Sequence, residues 1–211
     1  MTFHTEVLTE RQAGVLDEIA PVVRSGGFYL AGGTAIALRS GHRRSEDFDW
    51  FAAEVGRPEA LAAEIRARGL RLDNLELAAG TVSCRIGGVK MQFLEFAYPL
   101  LTAADEWPEQ CVSLASSRDL GAMKLLAIAQ RGSRKDFVDV HELLRQGASL
   151  SALLDDFRTK FQADSIAVLR GLAYFDEAEL EPMPEMLASY NWQDVRDGIM
   201  TALRAVLRRS V

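Results

Sequence analysis

The chain has 211 residues, with 24 Lys and Arg against 30 Asp and Glu, a formal net charge of −6, and 48% apolar against 26% charged residues. That balance excludes a disordered chain, a collagen-like chain and a disulfide-rich miniprotein, and it argues against a general nucleic-acid coat protein. A chain of this size buries roughly 70% of its unfolded surface, enough for one domain or two small ones sharing an interface.

Thr9-Glu-Arg-Gln is a capping box, and Val15, Ile19 and Val22 follow at helical spacing, which predicts a helix over about residues 9–24. Phe28–Ala31 is a short apolar run ending in Gly32-Gly33, a buried strand followed by a tight turn. Thr34–Arg39 is a short helix, and Asp47–Ala52 is a second strand. Pro58 opens a helix that Gly69 closes. Runs at 71–78, 81–87 and 89–97, separated by Gly80 and Gly87-Gly88, make an antiparallel meander, with Val112–Leu114 as a short edge strand. From Ser116 the pattern turns helical, at about 118–131, 134–146, 150–162, 164–175 and 191–208. Two units are expected: an α/β half (1–115) and an all-helical half (116–211).

Cys84 and Cys111 lack CxxC spacing and are expected to be buried thiols of a reducing compartment. The N-terminus has no basic region before an apolar stretch, and no apolar window is long enough to span a bilayer. The expectation is a cytoplasmic protein with no membrane partner. No HExxH, GxGxxG, P-loop or GxSxG motif is present.

Two segments carry chemistry. In Ser45-Glu46-Asp47-Phe48-Asp49, the two aspartates lie two apart on a strand and share a face, while Phe48 and Trp50 point to a core. Adjacent carboxylates repel unless a cation lies between them, and Mg²⁺ favours such oxygen ligands together with substrate phosphates. The Gly32-Gly33 turn before a helix is the complementary part, since glycines admit a ligand to the backbone and helix-start amides bind phosphate. The second segment holds Lys124, then Arg131, Arg134, Lys135, Asp136 and Asp139. Lys124 is either a snorkelling lysine or a cation for a nucleotide phosphate. Asp136 and Asp139 share a helix face, either as site acids or as first-turn acids matched to the helix dipole. Arg39, Arg43 and Arg44 with Arg131, Arg134 and Lys135 make a basic set near the acids, suited to polyanion binding or simply solvated.

FYLAGGTAIALRSGHRRSEDFDWF resembles the signature of the polymerase-beta-like nucleotidyltransferase superfamily, and more closely that of the AbiEii/AbiGii toxin family. DLGAMKLLAIAQRGSRKDFVDVHELL resembles that family's later motifs. The resemblance implies an α+β fold, with a mixed sheet flanked by helices and then a C-terminal helical bundle. It implies a metal-dependent nucleotidyltransferase that moves an NMP from an NTP to an acceptor, most plausibly tRNA as in the similar MenT toxins, within a toxin–antitoxin or phage-defence system. Under it Gly32, Gly33, Thr34 and Ser45 hold the nucleotide, Asp47 and Asp49 ligate Mg²⁺ or Mn²⁺, and Lys124 meets the phosphates. Asp136 is the later catalytic acid, supported by Asp139. Arg43, Arg44, Arg131, Arg134 and Lys135 face RNA, and an antitoxin is the expected partner. One departure stands out: many superfamily members carry a third strand acid, and here Gln92 occupies its place, with Glu95 or Asp136 as substitutes. The alternatives are a small-molecule or protein acceptor, or an inactive nucleotide binder.

Overall fold

A computed structural model of the chain describes residues 2–209. Helix α1 (Glu10–Ser25) starts at Thr9, whose side chain accepts from the Gln12 amide while the Gln12 side chain accepts in return from the Thr9 amide. Its buried stripe includes Val15, Leu16, Ile19 and Val23. Strand β1 (Tyr29–Ala31) leads directly into α2 (Gly32–Ser40), so the paired glycines form the first turn of the helix rather than a turn ahead of it. After β2 (Asp47–Ala52) and α3 (Pro58–Ala67) comes the antiparallel meander of β3 (Asp73–Ala78), β4 (Thr81–Ile86) and β5 (Val89–Glu95). A hairpin of β6 (Asp105–Trp107) and β7 (Val112–Leu114) completes the sheet. The sequence reading had the second strand of this hairpin but not the first, a three-residue element without a period to detect.

The seven strands run in the order β3-β4-β5-β2-β1-β7-β6. Pairs β2–β5 and β1–β7 are parallel and the rest antiparallel, giving a mixed sheet. On β2 burial alternates strictly: Phe48, Trp50 and Ala52 enter the core while Asp47, Asp49 and Phe51 take the other face.

The remainder is helical: α4 (Ser117–Gln130), α5 (Arg134–Arg145), α6 (Leu150–Phe161), α7 (Ile166–Leu172), α8 (Asp176–Leu180) and α9 (Trp192–Arg209). The helix expected over 164–175 ends at Leu172, and α8 follows as a separate turn. One apolar cluster lies mainly between the sheet, α1 and α3; a second, including Phe137, Phe157, Val168, Ile199 and Leu203, joins the helices. Between α8 and α9 the chain returns to the first half as a strap. Leu187 and Ala188 amides donate to the His42 carbonyl (2.8 and 2.9 Å), and the Arg44 amide donates to the Glu185 carbonyl (2.8 Å).

Cys84 is buried, as expected, whereas Cys111 is exposed in the tight turn between β6 and β7 at φ 54°. Among the described residues no helix is long and apolar enough to cross a membrane.

Candidate active site

A pocket of about 220 Å³ opens between the polar face of the sheet and α4. Gly32, Gly33, Ser45, Asp47 and Asp49 line one end. No side chain caps the N-terminus of α2, so its first amides are free to meet an anion. Gly32 has φ 65°, and a Cβ there would strike the Asp49 carboxylate. A Cβ at Gly33 would strike the Arg43 guanidinium and lie 3.2 Å from Ser45 Oγ. The two glycines let the helix start press against the acids and Arg43. Thr34 behaves differently from the sequence reading: it is 1% exposed and its hydroxyl donates to the Asp47 carbonyl. Its function is to pin α2 to β2, and it does not line the pocket.

Burial pushes the Asp49 carboxyl above the usual range, and the neighbouring Asp47 charge adds to this; Lys124, Lys135 and Lys90 oppose it. Lys90 Nζ lies 3.2 Å from Asp47 Oδ2. In the β2–β5 register Gln92 stands beside Asp49, and its Nε2 donates to Ser83 Oγ at 3.4 Å. An amide thus occupies the position next to the aspartate pair where a third acid was sought. Glu95 is no substitute: it accepts from the Val55 amide (3.4 Å) and packs against Gly80, outside the pocket lining. Among the described residues no group of three or more His, Cys, Asp or Glu side chains is placed to hold a metal. Two mutually repelling carboxylates beside a neutral amide form an all-oxygen donor set that fits a hard divalent cation completed by substrate phosphates.

The other end of the pocket is apolar, with Phe51, Leu94, Phe96, Leu120 and Met123. Phe51 packs edge-on against Phe96 at 5.4 Å. The sequence reading missed this wall. Phe51 continues the period of Asp47 and Asp49 along β2, and Leu94 that of Gln92 along β5, so strand alternation alone would have placed both.

Lys124 lines the pocket and also pairs with the later acids. Its Nζ lies 2.9 Å from Asp136 Oδ1 and 2.8 Å from Asp139 Oδ2, and all three are buried. Asp136 also accepts from Arg131 Nε (3.0 Å) and Ser133 Oγ (2.8 Å). Asp139 accepts from Arg43 Nε (2.7 Å) and Nη2 (2.9 Å) and lies 2.9 Å from His42 Nε2. Burial alone would raise both carboxyls. Lys124 and Arg131 outweigh it at Asp136, and Arg43 and Lys124 at Asp139, so both sit below the usual range, Asp139 well below. Burial likewise lowers Lys124, but Asp139 and Asp136 hold it above its ordinary value. Asp136 is therefore a fully engaged, weakly basic carboxylate that lies outside the pocket lining.

The basic set does not form one patch. Arg43 is 3% exposed and spans Gly33 and Asp139. Arg44 pairs with Glu185 (2.8 Å). Arg134 donates to the Ala178 and Glu179 carbonyls (2.7 and 2.8 Å) and lies over the Trp192 ring. Arg39 donates to the Ala115 carbonyl and pairs with Asp105. Each is held by a backbone carbonyl or a carboxylate. Arg131 and Lys135 are the members that line the pocket with Arg43.

Known proteins share this fold of a mixed sheet with flanking helices. A proposed nucleotidyltransferase from H. pylori superposes with a TM-score of 0.60 at 15% identity, covering 96% of this chain and 97% of that one. The JHP933 protein of Helicobacter pylori gives 0.55 at 14% identity, covering 95% and 92%. An uncharacterised Aquifex aeolicus protein, aq_aa25 of strain VF5, is 33% identical over 193 residues, 90% of this chain and 93% of that protein. Residues 98–209 match the model of the nucleotidyl transferase AbiEii toxin of type IV toxin–antitoxin systems. The chain belongs to the AbiEii family and is a nucleotidyltransferase, and such a family implies a cognate antitoxin.

Proposed function

We propose that the protein transfers a nucleoside monophosphate from an NTP to the 3′ end of an RNA, in the first instance tRNA, in a divalent-metal-dependent reaction. The observation that carries this reading is the convergence of Asp47, Asp49 and the uncapped start of α2 on one pocket. The α2 amides and Ser45 would hold the triphosphate, and the apolar wall of Phe51, Phe96 and Met123 would receive the base. Asp47 and Asp49 would hold Mg²⁺ or Mn²⁺, which supplies charge neutralisation at the triphosphate. Lys135 and Arg131 add positive charge at the pocket and help place the reactants. The acceptor oxygen bonds to the α-phosphorus and the α–β bridging bond breaks. Pyrophosphate leaves with the electron pair, and the hydroxyl proton passes to solvent.

The tRNA acceptor is carried over from the resemblance of the two motif segments to the MenT toxins. We also propose two functional units, 1–115 and 116–211, a division that the two apolar clusters support, although Leu120 and Leu143 of the second unit reach the first cluster. Two free cysteines fit a reducing cytoplasm. The test is incubation with each α-labelled NTP, Mg²⁺ or Mn²⁺ and total tRNA, beside an Asp49→Ala control. Label on tRNA with the unmodified protein alone supports the reading. Label on a small molecule or protein instead, or none on any acceptor, overturns the RNA acceptor.

A further inference from the structure

A second groove, of about 380 Å³, adjoins the pocket. The two share Gln130 and Arg131 at the end of α4. Gly132 continues the floor, and Arg170, Tyr174 and Glu177 form the far side. Gly171 sets the width: a Cβ there would be 2.9 Å from the Ile128 carbonyl, so α7 rests directly on α4.

The chemistry of this groove is unlike that of the pocket. Tyr174 is 53% exposed and makes no ring–ring contact among the described residues. Arg170 is exposed and makes no ion pair among the described residues. Arg131 keeps its side chain 61% exposed while Asp136 fixes its Nε at 3.0 Å. An open ring and two guanidiniums lining one groove suit a single polynucleotide strand, since every base presents a face to stack and every linkage a phosphate. Glu177 is the acid of the lining and works against that ligand.

We propose that this groove receives the single-stranded 3′ end of the acceptor RNA, with Tyr174 stacking a base near the end and Arg170 and Arg131 meeting the flanking phosphates. The terminal hydroxyl then passes between Gln130 and Arg131 toward Asp49. The inference rests on the RNA acceptor proposed above.

The test compares Tyr174→Ala, Arg170→Ala and Glu177→Gln with Arg66→Ala on α3, an exposed charge on another element. With total tRNA and a saturating labelled NTP, Tyr174→Ala raises the KM for tRNA about tenfold, the scale of one lost base–aromatic stack, while the KM for NTP holds. Arg170→Ala flattens the log–log salt dependence of tRNA binding by about 0.7, one single-strand phosphate contact. Glu177→Gln lowers the KM for tRNA, and Arg66→Ala leaves it unchanged. A tRNA carrying 4-thiouridine near its 3′ end crosslinks to the peptide containing Tyr174. If the unmodified protein labels tRNA but the Tyr174 and Arg170 variants keep its KM and salt slope, or the crosslink maps elsewhere, the groove is refuted and the RNA reading stands. If the unmodified protein labels no RNA, that reading falls and the groove falls with it.

Discussion

Two pairs of aspartates stand in contrast: Asp47 and Asp49 line the pocket, whereas Asp136 and Asp139 lie behind it, bonded to its lining residues Lys124, Arg43 and Arg131. Asp47 and Asp49 lie on a strand, partly open to the pocket, with Lys90 and the outer end of Asp47 as their ion pair. Asp136 and Asp139 lie on a helix, fully buried, and take donors from Lys124, Arg131, Arg43, Ser133 and His42. Correspondingly, the Asp49 carboxyl is held above the usual range and those of Asp136 and Asp139 below it. A carboxylate with its charge already balanced has little left for a ligand; one that is desolvated and beside a like charge gains most from a cation. The first pair has charge left for a ligand, and the second has its charge balanced within the molecule.

Removing one member of the buried network breaks that contrast most forcefully. Asp139→Ala leaves Arg43 and Lys124 buried with a lost partner, which typically costs about 3–5 kcal/mol. It also frees Arg43 from its place against Gly33, so transfer is lost along with stability. The denaturant midpoint, read beside the rate, measures both. A midpoint equal to that of the unmodified protein would show that the network is not holding the fold.

Asp49→Asn is the converse. It removes a charge that its surroundings disfavour, so stability stays within about 1 kcal/mol or rises. Transfer falls at least about 10²-fold, the scale of one lost electrostatic contact to the reacting groups. A rate near that of the unmodified protein, in a folded variant, would remove Asp49 from the site.

This contrast was only half legible in the sequence. The face of Asp47 and Asp49 followed from period two along a strand whose alternate residues, Phe48 and Trp50, are large and apolar. The helical second half followed from the loss of that period after Ser116. The partners of Lys124 did not follow: its spacing on α4 fits both a phosphate contact and a buried pair, and the choice depends on how α5 docks. Arg43 was misjudged for a similar reason. A run of arginines in a loop looks solvated, and nothing local reveals that residues 185–188 strap that loop down and drive Arg43 inward against Asp139. Long-range docking left no mark on the segments it joined.

Acidification separates the two pairs without mutation. Asp136 and Asp139 have folded pKa values below their unfolded ones, so their stabilisation is complete above about pH 4 and drains away as the pH falls through the lower, folded values. Asp49 runs the other way: its folded pKa is raised, so it takes up a proton at a higher pH than they do, and that protonation relieves the native state. Protonation of Asp49 competes with a divalent cation, so lowering the pH raises the Mg²⁺ concentration that transfer requires before it unfolds the chain. Rates and far-ultraviolet circular dichroism across the same acid titration detect the gap. Coincident midpoints would mean that Asp49 is not the group controlling activity.

Gln92→Glu sharpens the comparison from the other side. Gln92 sits in register with Asp49 and Ser83, so a glutamate there places a third carboxylate next to the pair with no change in backbone. Without a cation, it adds repulsion to a site where Asp47 already pushes Asp49 upward, and raises Asp49 further. With a cation, it adds a charged oxygen ligand in place of a neutral one. The half-saturating Mg²⁺ concentration then falls about tenfold, or about 1.4 kcal/mol. The bond to Ser83 Oγ survives too, because the serine hydroxyl can donate to a carboxylate as readily as it accepts from an amide. An unchanged Mg²⁺ requirement would mean that the cation lies beyond reach of β5 and is held by β2 alone, leaving Gln92 as a link in the sheet surface. A tighter requirement with an unchanged maximal rate would separate holding the cation from using it, and would show that two acids and an amide already suffice for the chemistry.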